Sequence, residues 1–153
     1  MTIYLLDTNI VVSLIRGLKV RPNPNAQQRE RHRTATRILT QARQKHAAGH
    51  QIALSAITVA ELEFGARNSG DYPLELAATR RAISAFQLLP FDAKDCAVHY
   101  GAIRHFMESG GRPIGSLDML IAAQALALRA TMVTNDSREF SRVPDLELED
   151  WSE

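Results

Sequence analysis

The chain has 153 residues, 45% apolar and 23% charged, with one cysteine. That length suits one domain whose core needs no staples, Cys96 alone excludes an intramolecular disulfide, and no apolar run reaches the roughly 18 residues of a membrane span. The net charge of +1 hides a division: nine Lys/Arg from Arg16 to His50 face one acid, Glu30, whereas Asp136 to Glu153 carries seven acids and two arginines, which suits either a polyanion-facing side or a solvated basic helix.

The opening MTIYLLDTN has no basic n-region and meets an acid at position 7. It therefore reads as folded chain, not a secretory leader, and the lone cysteine adds the expectation of a cytoplasmic setting. Residues 2–7 predict a buried strand by length and content, and 9–16 a short helix. RPNPN (21–25) is a turn-rich break. Residues 26–46 predict a polar, solvent-facing helix or hairpin whose narrow apolar stripe is Ala35, Ile38, Leu39 and Ala42. A strand at 51–56 and a helix at 58–67 follow, then a helix over 74–86, a short strand at 87–91 and a helix over 93–108. Gly110, Gly111 and Pro113 form a loop before an apolar helix at 117–129, a strand at 131–135, a helical turn at 137–140 and a last strand near 146–148. Strands alternating with helices predict an α/β sandwich with a mainly parallel sheet of about four to five strands. Residues 1–153 read as one domain, with 18–50 a basic elaboration of its first connection.

Four acids stand at element boundaries. Asp7 ends the first strand, where it could simply cap the helix that follows. Thr58 and Glu61 have the spacing of a capping box. Asp118 falls in the first turn of an otherwise apolar helix, where a negative charge complements the dipole, and Asp136 opens the helical turn after TMVTN. In an open parallel sheet, however, strand ends and the helix starts after them share one edge, where ligands bind. Asp7, Glu61 and Asp136 then crowd that edge, and Asp118 can point into it. Such carboxylates raise one another's pKa unless a cation intervenes. Oxygen donors suit a hard ion such as Mg²⁺, with Mn²⁺ as a substitute, and such a site suits phosphodiester hydrolysis. Cys96-x-x-His99 with His105 is only half a zinc pattern. Glu63 reads as solvated, and Asp92 and Asp95 as caps.

The order LLDTN (5–9), SAITVAELEFGA (55–66), GRPIGSLDMLIAAQA (111–125) and VTNDSREFSRV (133–143) resembles the PIN-domain family, and within it the VapC-type toxin ribonucleases. The resemblance covers nearly the whole chain. It implies a PIN-like three-layer sandwich and a Mg²⁺-dependent endoribonuclease that cuts tRNA or rRNA loops by metal-activated water. It maps the acidic pocket onto Asp7, Glu61, Asp118 and Asp136. Asp7, Asp118 and Asp136 become metal ligands, and Glu61 orients or deprotonates the attacking water. Thr8 and Asn9 lie beside the metal, Thr134 supplies a supporting hydroxyl, and Glu139 can stand in for Asp136. Arg112 with Arg29, Arg31, Arg33 and Arg37 are candidates for RNA phosphate contacts. The implied partners are RNA, a VapB-type antitoxin whose C-terminal arm covers the acidic site, and a second toxin copy in a homodimer; no membrane is involved. The connection between Asp7 and Glu61 is longer than is typical of the family. Competing readings are an RNA-processing PIN nuclease outside any toxin–antitoxin pair and an inactive PIN-like interaction module. A haloacid-dehalogenase-type phosphatase is disfavoured because Asn9 stands where that chemistry wants a second aspartate.

Overall fold

The first apolar run forms β1 (Ile3–Leu6), the central strand of a five-stranded, all-parallel sheet ordered β3-β2-β1-β4-β5. The computed structural model describes residues 1–153. On one side of β1 lie β2 (Gln51–Ser55) and β3 (Gln87–Leu89); on the other lie β4 (Thr131–Val133) and β5 (Glu147–Glu149). The helices are α1 (Thr8–Gly17), α2 (Ala26–Ala47), α3 (Ala56–Arg67), α4 (Tyr72–Ile83), α5 (Asp95–Ser109), α6 (Ser116–Leu128) and α7 (Ser137–Phe140). The three-layer α/β architecture expected from the sequence is the one observed, and no helix is long and apolar enough to cross a membrane.

The two-residue period of a strand divides the core into two layers. Tyr4, Leu6, Ile52, Leu54 and Val133 face α1, α2 and α4, whereas Leu5, Ala53 and Met132 face α5, α6 and α7. From β1 the chain builds outward to β2 and β3, then crosses to β4 and β5 on the opposite side. Such a reversal opens a crevice at the carboxyl ends of the strands flanking it, here β1 and β4. The sheet's central bond there is Asp7 N to the Val133 carbonyl oxygen, 2.8 Å.

Several boundaries shift from the sequence expectation, α4 starting two residues early and ending three early and β3 and β4 each stopping two residues short. Two differences bear on the site and its surroundings. The α3 helix starts two residues early, because Ser55 is its N-cap and accepts from Ile57 N at 3.0 Å. The expected Thr58–Glu61 capping box is therefore absent, and both residues sit inside the helix. Residues 26–47 form one continuous helix, with no hairpin, started by a capping box between Asn25 and Gln28. Its apolar stripe is core: Ala35 and Ile38 are fully enclosed. Lys45 lies 4.9 Å above the Tyr4 ring and 3.6 Å from Glu149, binding the end of α2 to the far side of the sheet.

The α1 and α2 helices touch backbone to backbone. A Cβ added at Gly17 would lie 2.3 Å from the Arg31 carbonyl oxygen and 2.5 Å from Ala35 Cβ, closer than real atoms approach. At Gly101, within α5, an added Cβ meets nothing within 4 Å. The two sites should respond oppositely to alanine. Gly101→Ala should gain about 0.5–1 kcal/mol from helix propensity. Gly17→Ala should lose about 2 kcal/mol to overpacking, lowering Tm by about 4–8 °C. Thermal unfolding followed by circular dichroism checks the pair, and equal responses would contradict this packing.

Candidate active site

The crevice between β1 and β4 receives one acid from each element that ends or begins beside it. Asp7, at the end of β1, is almost wholly buried and is the N-cap of α1. Its Oδ1 accepts from Thr8 N at 2.7 Å and its Oδ2 from the buried Thr134 hydroxyl at 3.0 Å. Thr134 Oγ1 in turn accepts from Asp136 N at 2.9 Å, so one hydroxyl fixes Asp7 and the turn that carries Asp136. Asp136 caps α7, its Oδ1 accepting from Glu139 N at 3.5 Å.

Asp118 lies in the first turn of α6, whose following residues Ile121, Ala122, Ala123 and Ala125 are fully buried. A Cβ at Gly115 would come within 3.2 Å of Asp118 Oδ2, so glycine there leaves the carboxylate its room. Across the crevice, Glu61 on α3 accepts the Thr8 hydroxyl at Oε1, 2.7 Å, and Thr8 Oγ1 also lies 3.0 Å from Thr58 Oγ1. Thr58 is fully buried.

The electrostatics of this edge are unbalanced. Burial pushes Asp7 up to about 6, against the lowering effect of Thr134 and Thr8, with the charges of Asp118 and Glu61 adding to the rise. Asp118 is also pushed up to about 6, first by burial and then by the charges of Glu61, Glu139 and Asp136. These causes place Asp118 within electrostatic reach of the other four acids, and Asp7 within reach of Asp118 and Glu61. None has a Lys, Arg or His within ion-pair distance, and no hydrogen bond stabilises the Asp118 carboxylate. No three acidic, His or Cys side chains are gathered closely enough to grip an ion directly.

The structure thus brings together Asp7, Thr8, Glu61, Asp118, Thr134, Asp136 and Glu139. Asn9 is exposed on the first turn of α1, and Arg112 is exposed in the loop before α6. Arg29, Arg31 and Arg33 lie instead on α2, around a separate cleft, and Arg37 donates to the Ser152 carbonyl oxygen at 3.2 Å. Glu63, expected to be solvated, accepts a hydrogen bond from the Tyr72 hydroxyl. Asp92, just before α5, accepts from the N–H groups of Lys94, Asp95 and Cys96 and from the buried Cys96 thiol. Asp95, also expected to be a cap, is instead the first residue of the helix, whose N-cap position is Lys94. Sequence reading missed Thr58 as a site residue. Its i,i+3 spacing from Glu61 was visible, but capping explained that spacing until the helix start was known.

The family pattern described as "PIN domain" matches residues 4–146. The chain is 35% identical over 149 residues to "Ribonuclease VapC2" of Rickettsia felis, covering 97% of this chain and 98% of that protein. It is equally identical over 149 residues to "tRNA(fMet)-specific endonuclease VapC" of Shigella flexneri, again covering 97% and 98%. Among solved structures, VapBC2 from Rickettsia felis bound to a DNA fragment from their promoter superposes with a TM-score of 0.79 at 33% identity, covering 98% of this chain and 99% of that one.

The crowding of charge has a measurable cost. Asp118 ionises near 6 in the folded chain and near 3.8 when unfolded. The native state then holds more protons between those values, and stability falls as pH rises through the window. Above pH 6 the penalty is complete. In the metal-free chain at pH 7.5, Asp118→Asn should therefore raise Tm by about 3–6 °C, for about 1–2 kcal/mol after solvent screening. The gain should vanish below about pH 4, where the carboxyl is protonated in both states. Calorimetry in EDTA at the two pH values checks this, and a lower Tm at pH 7.5 would mean the charge is compensated.

Proposed function

The chain belongs to the PIN-domain family and to its VapC-type ribonucleases, and from that footing we propose that it is a Mg²⁺-dependent endoribonuclease, the toxin half of a toxin–antitoxin pair. The observation that carries this reading is the ring of five carboxylates with no internal cation, at a sheet edge built to bind a ligand. PIN-domain nucleases are generally divalent-metal dependent, and an all-oxygen donor set selects a hard ion. Mg²⁺ keeps several of its waters, which suits carboxylates not gathered closely enough to grip an ion directly; Mn²⁺ could replace it.

Asp7, Asp118 and Asp136 would hold the ion, directly or through water. A divalent ion bound there supplies a lowered water pKa and charge neutralisation at the scissile phosphate. The chain's own residues supply the rest. Thr134 and Thr8 N fix both oxygens of Asp7 while leaving each a lone pair. The Thr8 hydroxyl occupies Oε1 of Glu61 and leaves Oε2 free to orient the attacking water and accept its proton. Attack by that water would leave a 5′-phosphate and a 3′-hydroxyl. RNA loops, whose bases can be splayed, are the expected substrates, in tRNA or rRNA. Asn9 is expected beside the metal, and Arg112, exposed in the loop before α6, is expected to contact the bound strand.

The partner would be a VapB-type antitoxin whose arm covers the acidic crevice, with two copies of this chain paired in the assembled complex, in the cytoplasm. The antitoxin partner is supported by the likeness to solved VapBC complexes from Rickettsia felis and Haemophilus influenzae. Residues 1–153 act as one catalytic unit, the basic stretch included.

Two variants test the chemistry. Asp118→Asn should lower cleavage of total RNA at least about 100-fold, and EDTA should abolish wild-type cleavage until Mg²⁺ is restored. Cleavage that survives either treatment would overturn the reading. Thr58→Val should lower kcat about tenfold with little change in KM, as loss of a group that orients a catalytic one does, and Thr58→Ser should recover the rate. Tm measured in parallel separates positioning from stability.

A further inference from the structure

A second charged feature lies outside the acid crevice. The loop between α1 and α2, with the facing first turns of α2, encloses an open cleft of about 800 Å³. Arg16, Lys19, Arg21, Arg29, Arg31 and Arg33 line it, and Leu18 and Val20 are its only hydrophobic side chains. Few internal anions serve these cations. Glu75 takes Lys19 at 2.8 Å and Glu30 takes Arg33 at 2.6 Å, while Arg16, Arg21 and Arg31 have no carboxylate within ion-pair distance. Arg29 and Arg33 share a face of α2 one turn apart, a spacing at which like charges destabilise a helix. The walls are nonetheless fixed: Gly17 packs against the α2 backbone, and its carbonyl oxygen is 3.0 Å from the His32 ring Nδ1.

The imbalance extends to the whole chain. Arg16 to His50 has nine Lys/Arg and one acid, a net +8, and the remainder has nine and sixteen, a net −7. A polyanion approaching the acid crevice meets repulsion from its ionised carboxylates and attraction from this cleft. The α1 helix links the two, with Asp7 capping its start and Arg16 in its last turn. Arg16 is nine positions after Asp7, about 14 Å along the axis and half a turn around it, so a strand held at both places must run along the surface of α1.

We infer that the cleft is a phosphate-binding groove that holds the backbone of an RNA strand away from the bond being cut. This rests on the ribonuclease reading above and extends it to how substrate is gripped. Five of the six cations are arginines, whose planar forks match phosphate oxygens. An acidic protein segment would rely on apolar anchors, and of the twelve lining residues only Leu18 and Val20 offer a hydrophobic side chain, against six cations. Contacts of this kind set affinity and register, not base choice. The cleft therefore grips, and the crevice selects and cuts.

Binding is measured apart from cleavage, in the full chain carrying Asp118→Asn, with a fluorescein-labelled RNA stem–loop as probe and anisotropy recorded across a salt series. Replacing Arg16, Arg21 and Arg31 together with Gln should weaken binding about tenfold or more and reduce the slope of log K against log salt by about 2, at about 0.7 per lost contact. Replacing the same three with Lys should keep the slope. All three are exposed or at the helix surface, and an unchanged Tm excludes misfolding. An unchanged affinity and slope overturns the groove, as does a variant that loses only antitoxin binding while its RNA binding stands. Cleavage by the unsubstituted chain with Mg²⁺ is scored in parallel. Intact cleavage beside an unchanged slope removes the groove alone, whereas neither cleavage nor RNA binding removes both readings.

Discussion

Five carboxylates held at one strand edge without an internal cation are the constraint to which the rest of the structure answers. Each ionised group raises the cost of the others, and a fold with no purpose there would disperse them or pair them with its many arginines. Instead, eighteen Lys/Arg are present and none lies within ion-pair distance of these five acids. The hydrogen bonds that reach the crevice come from neutral groups: Thr8, Thr134 and backbone N–H. These orient the carboxylates without cancelling their charge, which leaves that charge available to something from outside.

The sheet order makes the crowding feasible. With β1 central, the segments after β1, β2 and β4 all open toward the same edge, so residues separated by more than a hundred positions become neighbours. Thr134 and Asp7, 127 positions apart, share a hydrogen bond. The apolar α6 helix contributes rigidity: its buried face fixes the first turn, and the first turn carries Asp118. A mobile loop would hold that aspartate less precisely against its neighbours' repulsion.

Much of this was legible in the sequence because the relevant signals are local. Strand length, the acid after each strand and the glycine before Asp118 each follow from a few adjacent residues, and the parallel topology then brings the acids together. What escaped depended on where a helix starts or what it packs against. Thr58 read as a cap because nothing in SAITVAEL marks Ser55, rather than Thr58, as the residue that begins the helix. The 26–47 helix read as largely solvated because its core contact is made by small residues, Ala35 and Ala42 beside Ile38, which give a weak periodic signal. The cleft is invisible in one dimension: Arg16 and Arg31 are fifteen residues apart and meet only because Gly17 lets two helices close together.

That close approach also separates what can vary from what cannot. Gly17 fixes the register of α1 on α2, so the acid crevice at the far end of α1 is insulated from residues 18–25, an exposed connection whose length costs little to alter. Insertions or exchanges there would redraw the rim of the basic cleft and leave the carboxylate geometry untouched. The chain is in this sense divisible: its chemistry is anchored in the sheet, and its grip is free to evolve in a loop.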